Sequence, residues 1–148
     1  IAWAEGVPEL LRNGQPVSVD LTDRQLTDAE HVMVSAAAVN KPQLNAELCA
    51  PGRFVAMPSI AYRLARVAAG DGLCAVSLYP VSAHDVVAGH ALLRASGGTL
   101  VNQDGVEITY RTVAAMSAVS ERCFGGAPQA CETLLARDWQ RLLSNDAS

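Results

Sequence analysis

Residues 58–70 read PSIAYRLARVAAG and predict an amphipathic helix. The Ser59 hydroxyl is suited to cap the first turn of such a helix, and Gly70 is typical of the residue that ends one. Arg63 and Arg66 are expected to lie off the apolar face. That face is made of apolar side chains that recur at helical spacing, namely Ile60, Leu64, Val67 and Ala68. We therefore expect the helix to pack against a hydrophobic core.

A strand and a second helix follow this helix. Residues 73–78, LCAVSL, form a short apolar run that ends before Pro80, which is typical of a buried strand. Residues 85–95 predict a helix, which the glycine pair at 97–98 ends. Its apolar face is expected to contain Val87, Ala91, Leu92 and Ala95.

The downstream sequence predicts more strands and a last helix. Residues 99–101 predict a strand, and the turn at 103–105 leads from it into a predicted strand over residues 106–110. Residues 113–119 predict one further strand. Residues 127–143 predict a single long helix.

The upstream sequence is less regular. The turn dipeptide at 13–14 precedes a short predicted strand at 16–19, and the apolar, β-branched run at 32–37 predicts a buried strand. Residues 41–57 show little periodicity. Residues 1–6 open in the middle of a strand-like pattern without Met, so we expect a segment of a longer protein. Strands and helices without strict alternation predict one layered α/β or α+β domain over residues 1–148.

Composition and charge exclude several classes of protein. Among 148 residues, 50% are hydrophobic and 18% charged, as in a globular domain. A net charge of −4 with only 11 Lys and Arg argues against a nucleic-acid polymer as partner. The apolar stretches are too short to cross a membrane. The four cysteines form no CxxC pair, and they are typical of small core residues in a cytoplasmic protein.

Several motifs occur in an order that resembles the inositol monophosphatase superfamily. Residues 58–70 are similar to the Gly-Ser/Thr-x-Ala helix of that family. Residues 84–90, HDVVAGH, resemble its Trp-Asp-x-Ala-Ala-Gly motif, and residues 95–98, ASGG, resemble its Glu-Ala-Gly-Gly. Upstream, residues 2–6 and 13–17 resemble two further stretches of that family's sequence pattern. Each motif is weak alone, but five in order cover nearly the whole chain.

The resemblance implies an α/β fold, layered α/β/α with a mixed sheet, as in the C-terminal half of the sugar-phosphatase αβαβα sandwich. It also implies a Mg²⁺-dependent phosphatase that acts on a small phosphorylated polyol, sugar or nucleotide. Most metal ligands of the family lie in an Asp-Pro-x-Asp-Gly motif, which does not occur here. The resemblance therefore assigns one metal ligand to this chain, Asp85, and substrate contacts to Ser59 and Ile60.

The same comparison implies a chain that is inactive alone. The expected partners are a small phosphorylated substrate and either a second copy in a homodimer or the N-terminal half that would precede Ile1. No membrane partner is expected. The pattern Ala88-Gly89-His90-Ala91, with Ala95 in place of Glu, is more similar to the 3′(2′),5′-bisphosphate nucleotidase branch than to the inositol phosphatases.

Departures from the family pattern leave a second hypothesis open. The family's Trp, Gly, Asp and two acidic residues are replaced here by His84, Pro58, Leu73, Ser77 and Ala95. The domain could then be a catalytically degenerate structural or binding module of a larger enzyme.

Each candidate site residue also has a purely structural interpretation. Ser59 can act only as a helix cap, and Asp85 can form a Ser-x-x-Asp capping box with Ser82. His84 and His90 are six residues apart and do not share a helical face, so we expect solvated or locally hydrogen-bonded side chains rather than a metal pair.

Overall fold

The computed structural model describes residues 10–111 and 120–143. The strands are β1 (Leu10–Arg12), β2 (Gln15–Val17), β3 (His31–Val34), β4 (Arg53–Ala56), β5 (Cys74–Ser77), β6 (Thr99–Asn102) and β7 (Cys123–Gly126). The helices are a 3-10 helix (Ala36–Asn40), α1 (Pro42–Cys49), α2 (Ile60–Ala68), α3 (Ala83–Ala95), α4 (Pro128–Leu135) and α5 (Gln140–Leu143).

Five of the described strands form one mixed sheet in the order β4-β3-β5-β7-β6. β3 runs parallel to β4 and β5, whereas β7 runs antiparallel to β5 and β6. β1 and β2 form a separate antiparallel hairpin. The predicted mixed sheet is confirmed.

Helices cover both faces of the sheet. On β5, the Cys74 Sγ lies 3.7 Å from the Cys131 Sγ of α4. Gly125 pairs with Ala75, one position further along β5, so it faces the opposite side. There a Cβ on Gly125 would meet the side-chain end of Leu64 of α2. The order α/β/α therefore follows from the alternation of side chains along the central strands.

The buried face of α3 differs from the predicted one. Val86, Gly89, His90 and Leu93 point inward. Val87 is 45% exposed, Ala95 is exposed, and Ala91 and Leu92 are only partly buried. The cause is the close approach of α2, since the position of Gly89 leaves no room for a Cβ beside Leu64. The prediction placed apolar side chains on the buried face of α3, whereas the contact with α2 requires a residue without a side chain at position 89.

The predicted face of α2 also needs a correction. Arg63 is only 5% exposed, together with Leu64, Val67 and Ala68. It lies three residues after Ile60 and four before Val67, which is the spacing of one helical face. The spacing therefore places Arg63 on the buried side, and the charge of the side chain led to the wrong prediction.

Other elements differ in extent from the predicted ones. The strand predicted over 32–37 ends at Val34, and the 3-10 helix follows it. Residues 41–57 contain α1 and β4 rather than irregular structure, and the helix predicted over 127–143 is divided into α4 and α5. Residues 106–110 contribute an isolated bridge from Glu107 to Val101. The strand-like start at 1–6 and the strand predicted over 113–119 lie outside the described residues.

Trp139 explains why α4 and α5 are separate helices. Its side chain is 1% exposed, and the indole Nε1–H donates to the Leu134 carbonyl at 2.7 Å. Burying this large ring requires the chain to turn after Leu135. None of the helices in the described part of the chain is both long and apolar enough to cross a membrane.

Candidate functional site

The carboxyl ends of the parallel strands β3 and β5 meet at one edge of the sheet. Val34 and Ser77 end these strands, and both line a cavity of about 240 Å³. Open α/β sheets commonly bind ligands at this edge. The loop after β3 and the segment between β5 and α3 form other parts of the wall. The cavity lining is Val34, Ser35, Ala37, Ala38, Asn40, Lys41, Asn45, Arg63, Val76, Ser77, Leu78, Tyr79, Trp139, Leu142 and Leu143.

Arg63 reaches this cavity from the first turn of α2. Its Nη1–H donates to the Val76 carbonyl at 2.7 Å, and its Nε–H donates to the Ser59 carbonyl at 3.4 Å. These bonds fix the guanidinium at the end of β5. Burial lowers the pKa of Arg63, yet an arginine side chain stays protonated in proteins. The cavity wall therefore carries a fixed positive charge.

Asp85 lies in the first turn of α3. Its Oδ2 accepts hydrogen bonds from the Ser82 backbone N–H and the Ser82 hydroxyl, both at 2.8 Å, within the predicted capping box. These two bonds lower the pKa of Asp85. The side chain is 43% exposed, and Oδ1 lies 3.7 Å from His84 Nε2. Asp85 is therefore an ionised carboxylate with a fixed orientation and one outward oxygen.

Ser59 is the N-cap of α2, as predicted. Its Oγ accepts a hydrogen bond from the Tyr62 backbone N–H at 3.3 Å. Its backbone has φ 61° and ψ 114°, outside the regions that are comfortable for a residue with a Cβ. Ile60 is the first residue of α2 and is partly buried. The substrate contacts that the resemblance implies for these two residues stay predictions.

The candidate site residues do not all meet in one place. Arg63 and Ser77 line the cavity, whereas Ser59, Ile60 and Asp85 are absent from its lining. In the part of the chain that the structure describes, no three His, Cys, Asp or Glu side chains form a group that could hold a metal ion. A carboxylate oxygen suits Mg²⁺, so Asp85 fits the role of a single ligand but cannot bind the ion alone.

A second polar cluster surrounds His90 on α3. The ring is buried, with Nδ1 2.7 Å from the Tyr110 hydroxyl and Nε2 3.3 Å from Glu107 Oε1. Burial lowers the pKa of His90 and raises that of Tyr110 to about 12. The prediction of a solvated or locally hydrogen-bonded histidine does not hold for His90, whose partners lie 17 and 20 residues away along the chain. His84 is exposed, with 87% of its side-chain surface open to solvent.

The four cysteines are all buried. Burial raises the pKa of Cys49 and of Cys123 to about 12. A reactive thiol needs a low pKa and access to solvent. The prediction that they are small core residues is confirmed.

No protein-family model and no curated protein matches the sequence. Solved structures do match. The Thermotoga maritima IMPase superposes with a TM-score of 0.66 at 17% identity over 88% of this chain and 47% of its own. Inositol monophosphatase-II from Staphylococcus aureus MSSA476 gives a TM-score of 0.63 at 18% identity over 85% of this chain and 45% of its own. This chain has the fold of about half of an inositol monophosphatase.

A third enzyme extends the same comparison. Inositol monophosphatase from Anabaena (Nostoc) sp. gives a TM-score of 0.59 at 23% identity over 84% of this chain. The chain spans about half the length of each of these structures. That share is consistent with a C-terminal half. At the level of the fold, the resemblance to inositol monophosphatases is confirmed.

The sequence signal that was missed concerns Arg63. A cation in a helix is normally placed on the solvent side, because a buried charge is costly. The spacing from Ile60 through Arg63 to Val67 nevertheless indicates one common face. An arginine that shares the apolar face of a helix by its spacing therefore indicates a buried positive charge.

Proposed function

We propose that this chain is the C-terminal half of a Mg²⁺-dependent phosphomonoester hydrolase that acts on a small phosphorylated polyol, sugar or nucleotide. The fold carries the proposal, because the likeness to inositol monophosphatases extends over 80–90% of the chain. Structures of the S. aureus enzyme contain inositol monophosphate or 2′AMP. These two ligands support the proposed range of substrates.

The local geometry of Asp85 supports a role as one metal ligand. The two hydrogen bonds from Ser82 occupy Oδ2 and orient the carboxylate. The lowered pKa keeps it ionised at neutral pH, the form that binds a cation. Bound Mg²⁺ would supply polarisation of the phosphoryl oxygens and activation of water. In this proposal the remaining ligands, and with them turnover, belong to a part of the protein outside this chain.

A structural or binding module is the second candidate function. The observation that favours it is that no three His, Cys, Asp or Glu side chains among the described residues form a group that could hold a metal ion. In addition, the family's acidic position before the Trp-Asp motif is Ser77, whose hydroxyl donates to the Tyr79 carbonyl at 3.3 Å. A hydroxyl committed in this way does not replace a carboxylate.

Phosphate release with Mg²⁺ tests the proposal. The substrates are inositol monophosphate, a nucleotide 3′,5′-bisphosphate and a sugar bisphosphate, and the proteins are this chain and a longer chain that includes it. We expect turnover only in the longer chain. Asp85→Asn should reduce it by a factor on the order of 100, since removal of one transition-state contact typically costs several kcal/mol.

Asp104→Asn is the matched control. It makes the same change of charge in the exposed turn after β6 and should leave turnover unchanged. Turnover by the 148-residue chain alone would contradict the proposal of an incomplete site. Absence of turnover in both chains on every substrate would favour the binding module.

A further inference from the structure

Cys74 and Cys131 bring two thiols into contact inside the core. Cys74 lies on the central strand β5 and Cys131 on α4, 57 residues apart along the chain, and their Sγ atoms are 3.7 Å apart. Neither residue is more than 1% exposed. A disulfide bond is about 2.05 Å long, so the two sulfur atoms need a closing movement of about 1.7 Å to form one. The fold therefore holds two free thiols close to bonding distance.

The other two cysteines lie elsewhere in the fold. Cys123 pairs with Ser77, which is three positions after Cys74 on β5, so Cys123 faces α2 rather than α4. Cys49 ends α1, which packs against the edge strand β4, and β3 separates β4 from β5. Among the four cysteines, the fold therefore selects Cys74 and Cys131 as a pair.

Access to this pair depends on α4. The contact with Cys131, together with burial, raises the pKa of Cys74, so the pair does not react rapidly in the closed fold. α4 is eight residues long and buries only Ala130, Cys131 and Leu134. A short helix with so few buried side chains opens locally at a lower cost than the whole domain. Oxidation of the pair is therefore slow and follows the opening of α4.

We propose that Cys74 and Cys131 are a covalent modification site, which hydrogen peroxide converts into a reversible disulfide bond. One thiol reduces the peroxide to water and becomes a sulfenic acid, and the second thiol then displaces water from it as α4 closes. The S–S bond forms, two S–H bonds and the peroxide O–O bond break, and two molecules of water leave. The thiols lose two electrons, which the peroxide gains. The site goes beyond the proposed hydrolase, because neither Asp85 nor a phosphorylated substrate takes part.

The bond ties α4 to the central strand of the sheet. It closes a loop that contains α3, β6 and β7, and such a crosslink restricts the unfolded chain. The chain continues from α4 to Trp139 and Leu142, which line the cavity at the carboxyl ends of β3 and β5. Oxidation therefore stabilises the fold and limits the movement of this part of the cavity wall. A small dithiol reverses the change by thiol–disulfide exchange.

Exposure of this chain to hydrogen peroxide in the absence of urea tests the site. Catalase stops the reaction, iodoacetamide blocks the remaining thiols in denaturant, and peptide mass spectrometry identifies the linked cysteines. We expect a linkage between Cys74 and Cys131, and a urea midpoint that rises with it and falls again with dithiothreitol. In denaturing urea we expect Cys123 to link to Cys131 instead, because loop closure over 8 rather than 57 residues is favoured roughly twentyfold.

Cys123→Ala is the matched control for Cys131→Ala. Each variant lacks one buried thiol, but only Cys131→Ala should abolish the linkage and the rise in urea midpoint. A linkage between Cys123 and Cys131 in the absence of urea, or four free thiols after prolonged exposure, overturns the proposal. If circular dichroism shows that Cys131→Ala does not fold, the linkage found in the unmodified chain decides. No substrate is present in these measurements, so failure of the hydrolase proposal leaves them unaffected.

Discussion

Ser59 combines a helix cap with a strained backbone. Its φ of 61° and ψ of 114° are accessible to glycine but costly for a residue with a Cβ, by roughly 1–3 kcal/mol. The hydrogen bond that its side chain accepts is long, at 3.3 Å. Glycine is nearly as good an N-cap as serine, within a few tenths of a kcal/mol. Relief of strain therefore exceeds the loss of the cap at this residue.

We expect Ser59→Gly to raise the free energy of unfolding by about 1 kcal/mol, after allowance for the greater entropy of glycine in the unfolded chain. Urea unfolding followed by circular dichroism measures the change. Ser82→Gly is the matched control, because Ser82 caps α3 with an ordinary φ of −94°. Ser82→Gly should lower the free energy of unfolding. A fall in stability for both variants would mean that the backbone of Ser59 is not strained.

The packing of α3 on α2 depends on Gly89. A Cβ at this position would lie 2.6 Å from the Leu64 Cβ, a distance that the two helices could relieve only by moving apart. Helix propensity alone favours alanine over glycine by about 1 kcal/mol. Overpacking a core typically costs 1–3 kcal/mol. The two effects have opposite signs, so the sign of the measured change identifies the larger one.

We expect Gly89→Ala to lower the free energy of unfolding by about 1–2 kcal/mol. Ala88→Gly at the exposed neighbouring position calibrates propensity and should cost about 1 kcal/mol. Both values come from urea unfolding under identical conditions. A Gly89→Ala chain that is more stable than the unmodified one would show that contact between α2 and α3 does not limit the residue at this position.

Elements with local signals could be predicted from the sequence, and elements that depend on distant contacts could not. The cap of α2 and the capping box of α3 involve residues within four positions of each other, and both are present. β7 has the sequence CFGG, in which a glycine pair is typical of a turn. Gly125 lies where a Cβ would meet the side-chain ends of Leu64, Leu93 and Leu100 together, contacts with residues 25–61 positions away along the chain.

The same distinction applies to α1 and to the candidate site. Residues 42–49, PQLNAELC, bury only Asn45, Leu48 and Cys49, so the helix shows no clear apolar period. The position of Asp85 follows from its motif and its cap. The role of Arg63 depends on the Val76 carbonyl and on a cavity formed by separate segments, neither of which leaves a local pattern.

At the scale of the whole molecule, two polar contacts join segments outside the central sheet to the helices. Asp71 binds Arg12 of the β1–β2 hairpin at 3.0 Å and also Arg66 of α2. Burial opposes ionisation of Asp71, but these two arginines outweigh it and lower its pKa. A lowered carboxyl pKa stabilises the fold above about pH 4, and this stabilisation is lost as the pH falls further. This contact therefore contributes to the loss of stability of the fold in acid.

His90 governs a different pH range, because its folded-state pKa lies below the ordinary 6.5. Burial lowers this pKa most and the charge of Arg94 lowers it further, while the hydrogen bond that Glu107 accepts and the negative charge of Glu107 only partly oppose them. Below pH 6.5 the unfolded chain binds more protons than the folded chain, so the free energy of unfolding falls as the pH is lowered. Above pH 6.5 this contribution is complete and constant. We therefore expect urea midpoints to be level between pH 7 and 8 and to fall below about 6.5.

His90→Gln should remove this slope just below pH 6.5, since an amide does not titrate there. His84→Gln, at an exposed position on the same helix, should retain it. The slope, rather than the absolute stability, is the readout, because His90→Gln also alters the contacts with Tyr110 and Glu107. An equal slope in His90→Gln and the unmodified chain would show that protonation of His90 does not oppose folding. The loss of slope in His90→Gln alone would assign the near-neutral pH dependence to the buried ring that joins α3 to the segment after β6.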